Sequence, residues 1–252
     1  MNQKRRSLIT QMLEEQQTIT NKELMDRFGI SIETVRRDLA YLENQGVLTK
    51  VYGGAVRKDV VRTEPLYSNR EKKSNEEKTL IAEATQSFIE PDDIVFFDLG
   101  TTVEAVAKKL DKSKNIHAFT NAIRTAVTLS EKCSEVILSG GRIRQGELSL
   151  SGTLAEANLF DFNIDKAIVG VAGITEEGIS DFIPDEAGLR RRVIQNSDKV
   201  IVLADYTKFS VRAMCKVCAL DEIDVLITDD KAPKDMLKKI EKKGIQVIIA
   251  KG

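Results

Sequence analysis

Seven short apolar runs alternate with amphipathic stretches after Pro91, and this alternation constrains the fold more than any other feature of the chain. The runs are Ile94–Phe97, Ile116–Phe119, Val136–Leu138, Ala167–Val171, Val200–Ala204, Val225–Thr228 and Ile245–Ala250. The stretches between them have apolar residues at helical spacing. They span 103–110, 121–132, 153–160, 186–196 and 233–243. Continuous apolar strands that alternate with helices predict an α/β fold, with a mostly parallel sheet covered on both faces.

Polar clusters follow four of these predicted strands. Asp98–Thr102 follows the first, Thr120–Asn121 the second, Ser139–Arg142 the third and Asp205–Lys208 the fifth. Each cluster alone is compatible with an ordinary turn or helix cap. The carboxyl ends of parallel strands share one edge of the sheet, however, and such sheets bind ligands there. The candidate ligand-binding residues are Asp98, Gly100, Thr101, Thr102, Thr120, Asn121, Gly140, Gly141 and Lys208.

The segment Gly100–Thr102 has the features of an anion site. It lies at a predicted strand-to-helix turn, where free backbone N–H groups and the helix dipole favour a negative charge. Its two threonines add hydroxyl donors, and Lys208 offers a countercharge for a phosphate from another loop of the same edge. Asp98 is negative, so we expect it to accept hydrogen bonds from sugar hydroxyls or to fix the loop. A purely structural turn is the alternative interpretation.

Residues 29–39 have the pattern of the turn and recognition helix of a DNA-binding helix-turn-helix. Gly29 suits the positive φ that often follows a helix, and Ser31 is a good N-cap for the next one. The predicted buried stripe of that helix is Ile32, Val35, Leu39 and Leu42. The side chains then directed to solvent are Glu33, Thr34, Arg36, Arg37 and Tyr41. Two adjacent arginines suit phosphate and base-edge contacts in a major groove, although an ordinary amphipathic helix with solvated arginines is the alternative.

The flanking sequence predicts a winged helix-turn-helix domain over residues 1–58. Two further helices upstream include the apolar sets within Leu8–Leu13 and Leu24–Phe28, and Thr18–Thr20 is predicted to be a loop with a capping residue. Three short helices joined by tight turns therefore precede the wing.

The wing is predicted to be a hairpin. Val47–Tyr52 alternates like a strand, Gly53-Gly54 is a turn signal, and Ala55-Val56 returns. Arg57 and Lys58, together with Lys50, place positive charge on or beside it, within reach of backbone phosphates. The candidate DNA-binding residues are Ser31, Glu33, Thr34, Arg36, Arg37, Tyr41 and Lys50.

Charge and composition divide the chain further. Residues 1–58 hold ten Lys and Arg against seven Asp and Glu, while the whole chain has a net charge of −1. Because this head is only weakly basic, we expect a homo-dimer or homo-tetramer that pools phosphate contacts. Residues 59–75 are predicted to be a linker, since Pro65 disfavours a helix just before it. Residues 76–252 are predicted to sense an effector and to oligomerise, and a charged helix is predicted from Ser68 to Phe88.

The remaining features exclude other classes of protein. No run approaches the roughly 18 apolar residues of a membrane span, and three cysteines without disulfide-like spacing indicate a reducing, cytoplasmic location. His117, in a predicted strand, is expected to be a packed core residue. Cys215 and Cys218 are expected to be buried or strand thiols, with a redox switch as the alternative. Arg190–Arg192 is expected to be a solvated helix face, and we expect neither a metal nor a cofactor.

Ordered motifs run through both predicted domains. They are Thr34–Leu39, Leu42-Glu43, Gly46, Val51–Ala55, Asp98–Thr102, Thr120-Asn121, Gly140-Gly141 and Ala204–Phe209. In these motifs the chain resembles DeoR-type bacterial transcriptional regulators over essentially its whole length. One departure is Tyr52, where the family usually has His; it belongs to the wing and so bears on DNA contacts. The resemblance implies a repressor of a sugar-utilisation operon whose C-terminal domain senses a phosphorylated sugar and is similar in fold to ribose-5-phosphate isomerase.

The same resemblance implies which isomerase residues are present. Gly100–Thr102 and Lys208 match the phosphate-binding positions of the isomerases. Val169–Ala172 replaces their Asp-Gly-Ala-Asp stretch, and Leu189–Arg192 provides no carboxylate base. Aldose–ketose isomerisation needs such a base near the sugar carbons, so we expect a binding domain without catalysis.

The expected function is therefore that of a DNA-binding transcriptional repressor, released from its double-stranded operator by a phosphorylated sugar. Two alternatives remain at this stage. One is a sugar-phosphate isomerase fused to a DNA-binding head. The other is a constitutive DNA-binding protein whose C-terminal domain is purely structural.

Overall fold

The computed structural model describes residues 2–16, 18–51, 53–57, 64–159 and 162–252. The helices of the N-terminal part are α1 (Asn2–Gln16), α2 (Asn21–Phe28) and α3 (Ile32–Asn44). Its strands are β1 (Thr18–Thr20), β2 (Leu48–Val51) and β3 (Gly54–Arg57), in the order β1-β3-β2. Three helices and a hairpin confirm the predicted winged helix-turn-helix. The predicted wing residues Tyr52 and Lys58 lie outside the described residues.

The caps predicted from sequence form as expected, with one correction. Thr20 and Glu23 make a capping box at the start of α2, Gly29 has φ 61°, and the Ser31 hydroxyl caps α3 by accepting from the Thr34 N–H. The prediction of a loop at Thr18–Thr20 is wrong, because this segment is a strand that pairs antiparallel with β3. Two β-branched threonines flank a buried isoleucine there, a composition that favours a strand.

The strands of the C-terminal part follow the predicted alternation. In chain order they are β4 (Ile94–Phe97), β5 (His117–Thr120), β6 (Glu135–Leu138), β7 (Arg142–Arg144), β8 (Ser149–Ser151), β9 (Ile164–Gly170), β10 (Gly173–Thr175), β11 (Gly178–Asp181), β12 (Ser197–Leu203), β13 (Cys215–Cys218), β14 (Val225–Asp229) and β15 (Gln246–Ala250). The helices are α4 (Tyr67–Lys72), α5 (Asn75–Thr85), α6 (Thr101–Lys109), α7 (Ile123–Ser130), α8 (Thr153–Leu159), α9 (Pro184–Gln195) and α10 (Lys234–Glu241).

All seven predicted strands join one sheet, in the order β15-β14-β12-β9-β4-β5-β6. Every neighbouring pair in it is parallel. From β4 the chain adds β5 and β6 on one side, and it then crosses to place β9 on the other side of β4. The point where the strand order reverses therefore lies between β4 and β9, and ligands of such sheets bind outside the carboxyl ends of the strands at that point.

Two apolar clusters cover the two faces of the sheet. Phe96 points into the cluster formed with α8, α9 and α10, whereas Phe97 points into the cluster formed with α5, α6 and α7. Both phenylalanines are fully buried. Successive residues of a strand face opposite sides, so a run of apolar residues is needed when both sides are covered by helices. This confirms the predicted α/β class.

The structure adds elements that periodicity did not predict. Strands β7 and β8 form a hairpin, and β10, β11 and β13 form a small antiparallel sheet. The single helix predicted from Ser68 to Phe88 is interrupted, because Ser74 adopts φ 54° between α4 and α5, and a short 3-10 turn replaces the last residues. Within the predicted linker 59–75, residues 59–63 lie outside the described residues and α4 occupies 67–72.

Candidate functional site

A cavity opens at the point where the strand order reverses. It is bounded by the loops that follow β4, β9 and β12 and by the segment around α4, and its empty volume including the open mouth is about 660 Å³. Its polar lining residues are Glu64, Arg70, Lys73, Ser74, Lys78, Thr101, Thr102, Asp181, Arg190, Asp205, Thr207 and Lys208. Parts of the chain that are far apart in sequence therefore meet at one site.

The floor of the cavity is the N-terminus of α6. Gly100 precedes the helix with φ 116° and ψ 157°, a backbone conformation essentially restricted to glycine. No side chain caps this helix, so the amide groups of its first turn are available to a ligand beside the hydroxyls of Thr101 and Thr102. The geometry is that of an anion site at a helix N-terminus.

Lys208 approaches the same cavity from the short 3-10 turn that follows β12. Asp205 fixes this turn, because its carboxylate accepts the Thr207 N–H at 2.9 Å. The Lys208 ammonium makes no hydrogen bond or ion pair with the part of the chain that the structure describes. Burial lowers the pKa of Lys208; the nearby carboxylate of Asp205 opposes this shift, and the cations Arg70 and Lys73 add to it. A partly buried cation without a partner is suited to bind an anion.

Asp98 is tied into a buried ion-pair cluster. Its carboxylate accepts from Arg190 Nε at 2.5 Å and from the Gly170 N–H at 3.1 Å, and Arg190 Nη1 also donates to Asp181. All three charged side chains are almost fully buried. Of the two roles expected for Asp98, these contacts correspond to fixing the loop, whereas Asp181 and Arg190 line the cavity. The expectation that Arg190–Arg192 is a solvated face is thus wrong for Arg190.

The other predicted ligand residues lie at the same edge of the sheet but do not line this cavity. Thr120 is the last residue of β5 and Asn121 follows it, and the Thr120 hydroxyl accepts the Ala122 N–H. The side chain of Asn121 is 1% exposed, and neither its oxygen nor its nitrogen has a partner among the described residues. Gly140 and Gly141 follow β6 and have positive φ, close to the side chain of Asn158 and the backbone of Ser151 respectively.

Five lining residues lie in the segment before β4, and sequence analysis did not single them out. They are Glu64, Arg70, Lys73, Ser74 and Lys78. The Lys78 ammonium is buried and donates to the carbonyls of Arg70 and Lys73. Burial lowers the pKa of Lys78 to about 8. The only sequence signal was the high charge of the helix predicted at 68–88.

A second group of ion pairs joins the residues before β4 to the β7–β8 hairpin and α9. Glu186 accepts from Arg144 Nε at 2.7 Å and from the Ser149 hydroxyl at 2.5 Å, and burial raises the pKa of Glu186 to about 7. Arg144 also contacts Glu64 at 2.7 Å. The Glu186 carboxylate is therefore already occupied by hydrogen bonds from residues of the β7–β8 hairpin.

Most of the predicted DNA-contacting side chains are exposed. Ser31, Glu33, Arg36, Arg37, Tyr41 and Lys50 are exposed, and Thr34 is half-buried. The guanidinium of Arg6 lies 3.8 Å from the centre of the Tyr41 ring, and Lys50 pairs with Glu43 at 3.3 Å. Arg36 and Arg37 make neither an ion pair nor a contact with an aromatic ring within the described ranges.

A buried carboxylate that sequence analysis did not predict holds α3 in place. Asp38 is 1% exposed, and it pairs with Arg5 at 2.6 Å and with Arg6 at 2.7 Å. Both arginines belong to α1. The recognition helix is therefore fixed to the first helix by charge as well as by the apolar cluster.

The remaining candidate residues, His117 and the two cysteines of β13, do not form a further site among the described residues. His117 is the first residue of β5, and its side chain pairs with Glu135. Because this side chain is 43% exposed, the expectation of a packed core histidine is wrong. Cys215 and Cys218 lie on β13 as unpaired thiols, which confirms their place in a strand. The described residues contain no cluster of His, Cys, Asp and Glu able to hold a metal, and none of their helices is long and apolar enough to cross a membrane.

Comparisons with known proteins match both parts of the chain. Residues 5–60 match the DeoR-like helix-turn-helix domain, and residues 73–230 match the DeoR C terminal sensor domain. The chain is 33% identical to the HTH-type transcriptional repressor GlcR of Bacillus subtilis, over 96% of this chain and 93% of that protein. It is 30% identical to the glycerol-3-phosphate regulon repressor of Escherichia coli, over 95% of each. A ribose 5-phosphate isomerase of Methanocaldococcus jannaschii aligns at 14% identity with a TM-score of 0.40, over 54% of this chain and 55% of that chain.

Proposed function

The chain belongs to the DeoR family of transcriptional regulators, and from that membership we propose that it represses a sugar- or polyol-metabolism operon and is released by a phosphorylated effector. The single observation that carries the effector assignment is the cavity in which the uncapped N-terminus of α6 and the unpartnered ammonium of Lys208 converge. The relatives named above are repressors, one of them of a glycerol-3-phosphate regulon.

In this proposal α3 enters the major groove of the operator. Arg36 and Arg37 are exposed on it and are assigned to base edges and phosphates, with Ser31, Glu33 and Thr34 at its N-terminal end. Tyr41 and Lys50 contact the flanking backbone. One head with so small a positive excess binds weakly at physiological salt, so two heads of a homo-dimer or homo-tetramer bind together.

The effector binds with its phosphoryl group at the floor of the cavity. The α6 amides, the hydroxyls of Thr101 and Thr102 and the Lys208 ammonium hold the phosphoryl oxygens. Asp98 positions Arg190 and the loop after β9. Thr120, Asn121, Gly140 and Gly141 do not line this cavity, so we assign them no contact with the effector.

The cavity contains carboxylates, yet their contacts favour binding over isomerisation. Asp181 accepts from Arg190 and from the N–H of Phe182, and Asp205 accepts from Thr207. A carboxylate that is already held by a guanidinium or by N–H groups is a weak base. We therefore propose that the domain senses its ligand without converting it.

Thermal unfolding against sugar and polyol phosphates, each beside its unphosphorylated form, tests the effector assignment. At 100 times its Kd, a ligand that binds only the native state adds about 2.7 kcal/mol to the free energy of unfolding. We expect a raised midpoint with one or two phosphorylated compounds, and its loss in Lys208→Ala. Lys239→Ala is the control, because Lys239 pairs with Glu176 on the exposed surface. No shift across the panel would instead support a purely structural C-terminal domain.

The affinity for a phosphorylated ligand should fall as the pH rises from 7 to 9.5. Burial lowers the pKa of Lys78 to about 8, so Lys78 loses its charge in this range, and burial lowers the pKa of Lys208 from its usual value; the phosphate stays a dianion above its second pKa of about 6. A bound dianion raises the pKa of Lys78, and binding then takes up a proton, with a slope of up to about one log unit per pH unit. Isothermal titration calorimetry in buffers of different ionisation enthalpy measures this uptake. An affinity that does not change between pH 7 and 9.5 would contradict this prediction.

A further inference from the structure

Arg70 lies on α4, within the predicted linker, and it lines the cavity. Its Nε donates to the carbonyl of Pro65 at 3.1 Å, and its Nη2 contacts the carboxylate of Glu64 at 3.0 Å and also donates to Glu147. These contacts use one side of the guanidinium. Nη1 has no partner among the described residues, and Arg70 lines the cavity.

The turn after α4 is held by a buried charge. The ammonium of Lys78 donates to the carbonyl of Lys73 at 2.7 Å and to that of Arg70. Ser74 takes a left-handed conformation between the two helices, and its hydroxyl oxygen is buried with no partner in the described ranges. The hydrogen bonds from Lys78 thus fix the backbone of this turn. The side chains that line the cavity from it are those of Arg70, Lys73 and Ser74.

This segment adds positive charge to one wall of the cavity. Lys73 and Lys78 line the cavity with Arg70, and the charges of Arg70 and Lys73 act on Lys208 while that of Lys208 acts on Lys78. The nearby carboxylates Glu64 and Glu147 are already in contact with Arg70. An anion in the cavity would therefore meet Arg70, Lys73 and Lys78 in addition to Lys208 and the N-terminus of α6.

We propose that Arg70 binds the phosphoryl group through Nη1 and transmits its presence to residues 64–74, which belong to the predicted linker between the cavity and the DNA-binding domain. This proposal rests on the proposed function. The guanidinium is planar and rigid, so Nη1 cannot move toward an anion without moving Nε and Nη2. Arg70 consequently ties the position of Pro65 and Glu64 to the occupancy of the cavity.

Inorganic phosphate added to the full-length chain tests the proposal, with sodium chloride at equal ionic strength as the reference. Calorimetry measures binding, and hydrogen–deuterium exchange measures protection of the amides of 64–74. We expect phosphate to slow exchange in this segment of the wild type. Arg70→Gln should weaken phosphate binding about tenfold or more, as expected for loss of a charge-assisted hydrogen bond.

Arg70→Lys separates binding from transmission. It keeps a positive charge but loses the rigid fork, so it should retain part of the phosphate affinity and lose the protection of 64–74. Arg212→Gln is the matched control, because Arg212 pairs with Glu177 on the exposed surface. Circular dichroism melting curves establish that each variant is folded.

The outcomes distinguish this inference from the proposed function. If phosphate binds the wild type and Lys208→Gln abolishes binding, while Arg70→Gln binds like the wild type, Arg70 is not part of the site. If Arg70→Lys shows full protection of 64–74, the transmission through the guanidinium is wrong. If the wild type does not bind phosphate at all, the anion site itself fails and both proposals fall.

Discussion

Arg190→Leu should lower the free energy of unfolding of the C-terminal domain by about 3–5 kcal/mol. Arg190 is 2% exposed, and its guanidinium contacts the buried carboxylates of Asp98 and Asp181. Removing the cation leaves two carboxylates close together without a countercharge and away from water. Urea unfolding followed by circular dichroism measures the change.

Two further variants make this expectation specific. Arg212→Leu removes an arginine from the exposed pair with Glu177, where the expected change is about 0–1 kcal/mol. Adding Asp98→Asn and Asp181→Asn to Arg190→Leu removes both stranded charges and should recover part of the loss. A stability of Arg190→Leu within about 1 kcal/mol of the wild type would mean that water or protons already neutralise these carboxylates.

Arg36→Ala and Arg37→Ala should each weaken operator binding by about 1–3 kcal/mol if the arginine contacts a base edge. Both side chains are exposed on α3, which Asp38 fixes to α1. An arginine that reads a base should also relax the sequence preference at one operator position. An arginine that contacts only phosphate should weaken binding to all sequences and reduce the salt dependence by about one unit.

The operator is first selected from random DNA with the wild-type protein, and fluorescence anisotropy then gives Kd over a series of salt concentrations. Arg212→Ala, which removes one positive charge from the C-terminal domain, is the control for net charge. Unchanged binding by both α3 variants would mean that another surface reads the DNA.

The elements of this protein were largely predictable because their patterns are local. The seven apolar runs each became a strand of the parallel sheet, and the glycine before Thr101 and Thr102 marked a helix N-terminus that opens into the cavity. Lys208 was also placed correctly at the edge of the sheet. In each case the residues that decide the conformation are neighbours in sequence.

The partners of those residues were harder to predict, because they depend on how helices pack. Consecutive residues of a helix are rotated by about 100°, so three adjacent arginines cannot share one face, and Arg190 is turned inward to Asp98 while Arg191 contacts the carbonyl of Val217. Arg70 and Lys78 reach the cavity only because α4 and α5 are separated at Ser74, where a residue other than glycine takes a positive φ. No periodic pattern indicates such a break.

The parallel pairing of β4 with β9 has a consequence for synthesis of the chain. Val95 pairs with Lys166, so the central strand lacks one neighbour until about 70 further residues have left the ribosome. At about 5–20 residues per second this takes about 4–14 s, whereas the N-terminal helices make mostly short-range contacts. The DNA-binding head of each nascent chain can therefore fold well before the domain that controls it, and the apolar edge of β4 stays unpaired and open to a chaperone during that interval.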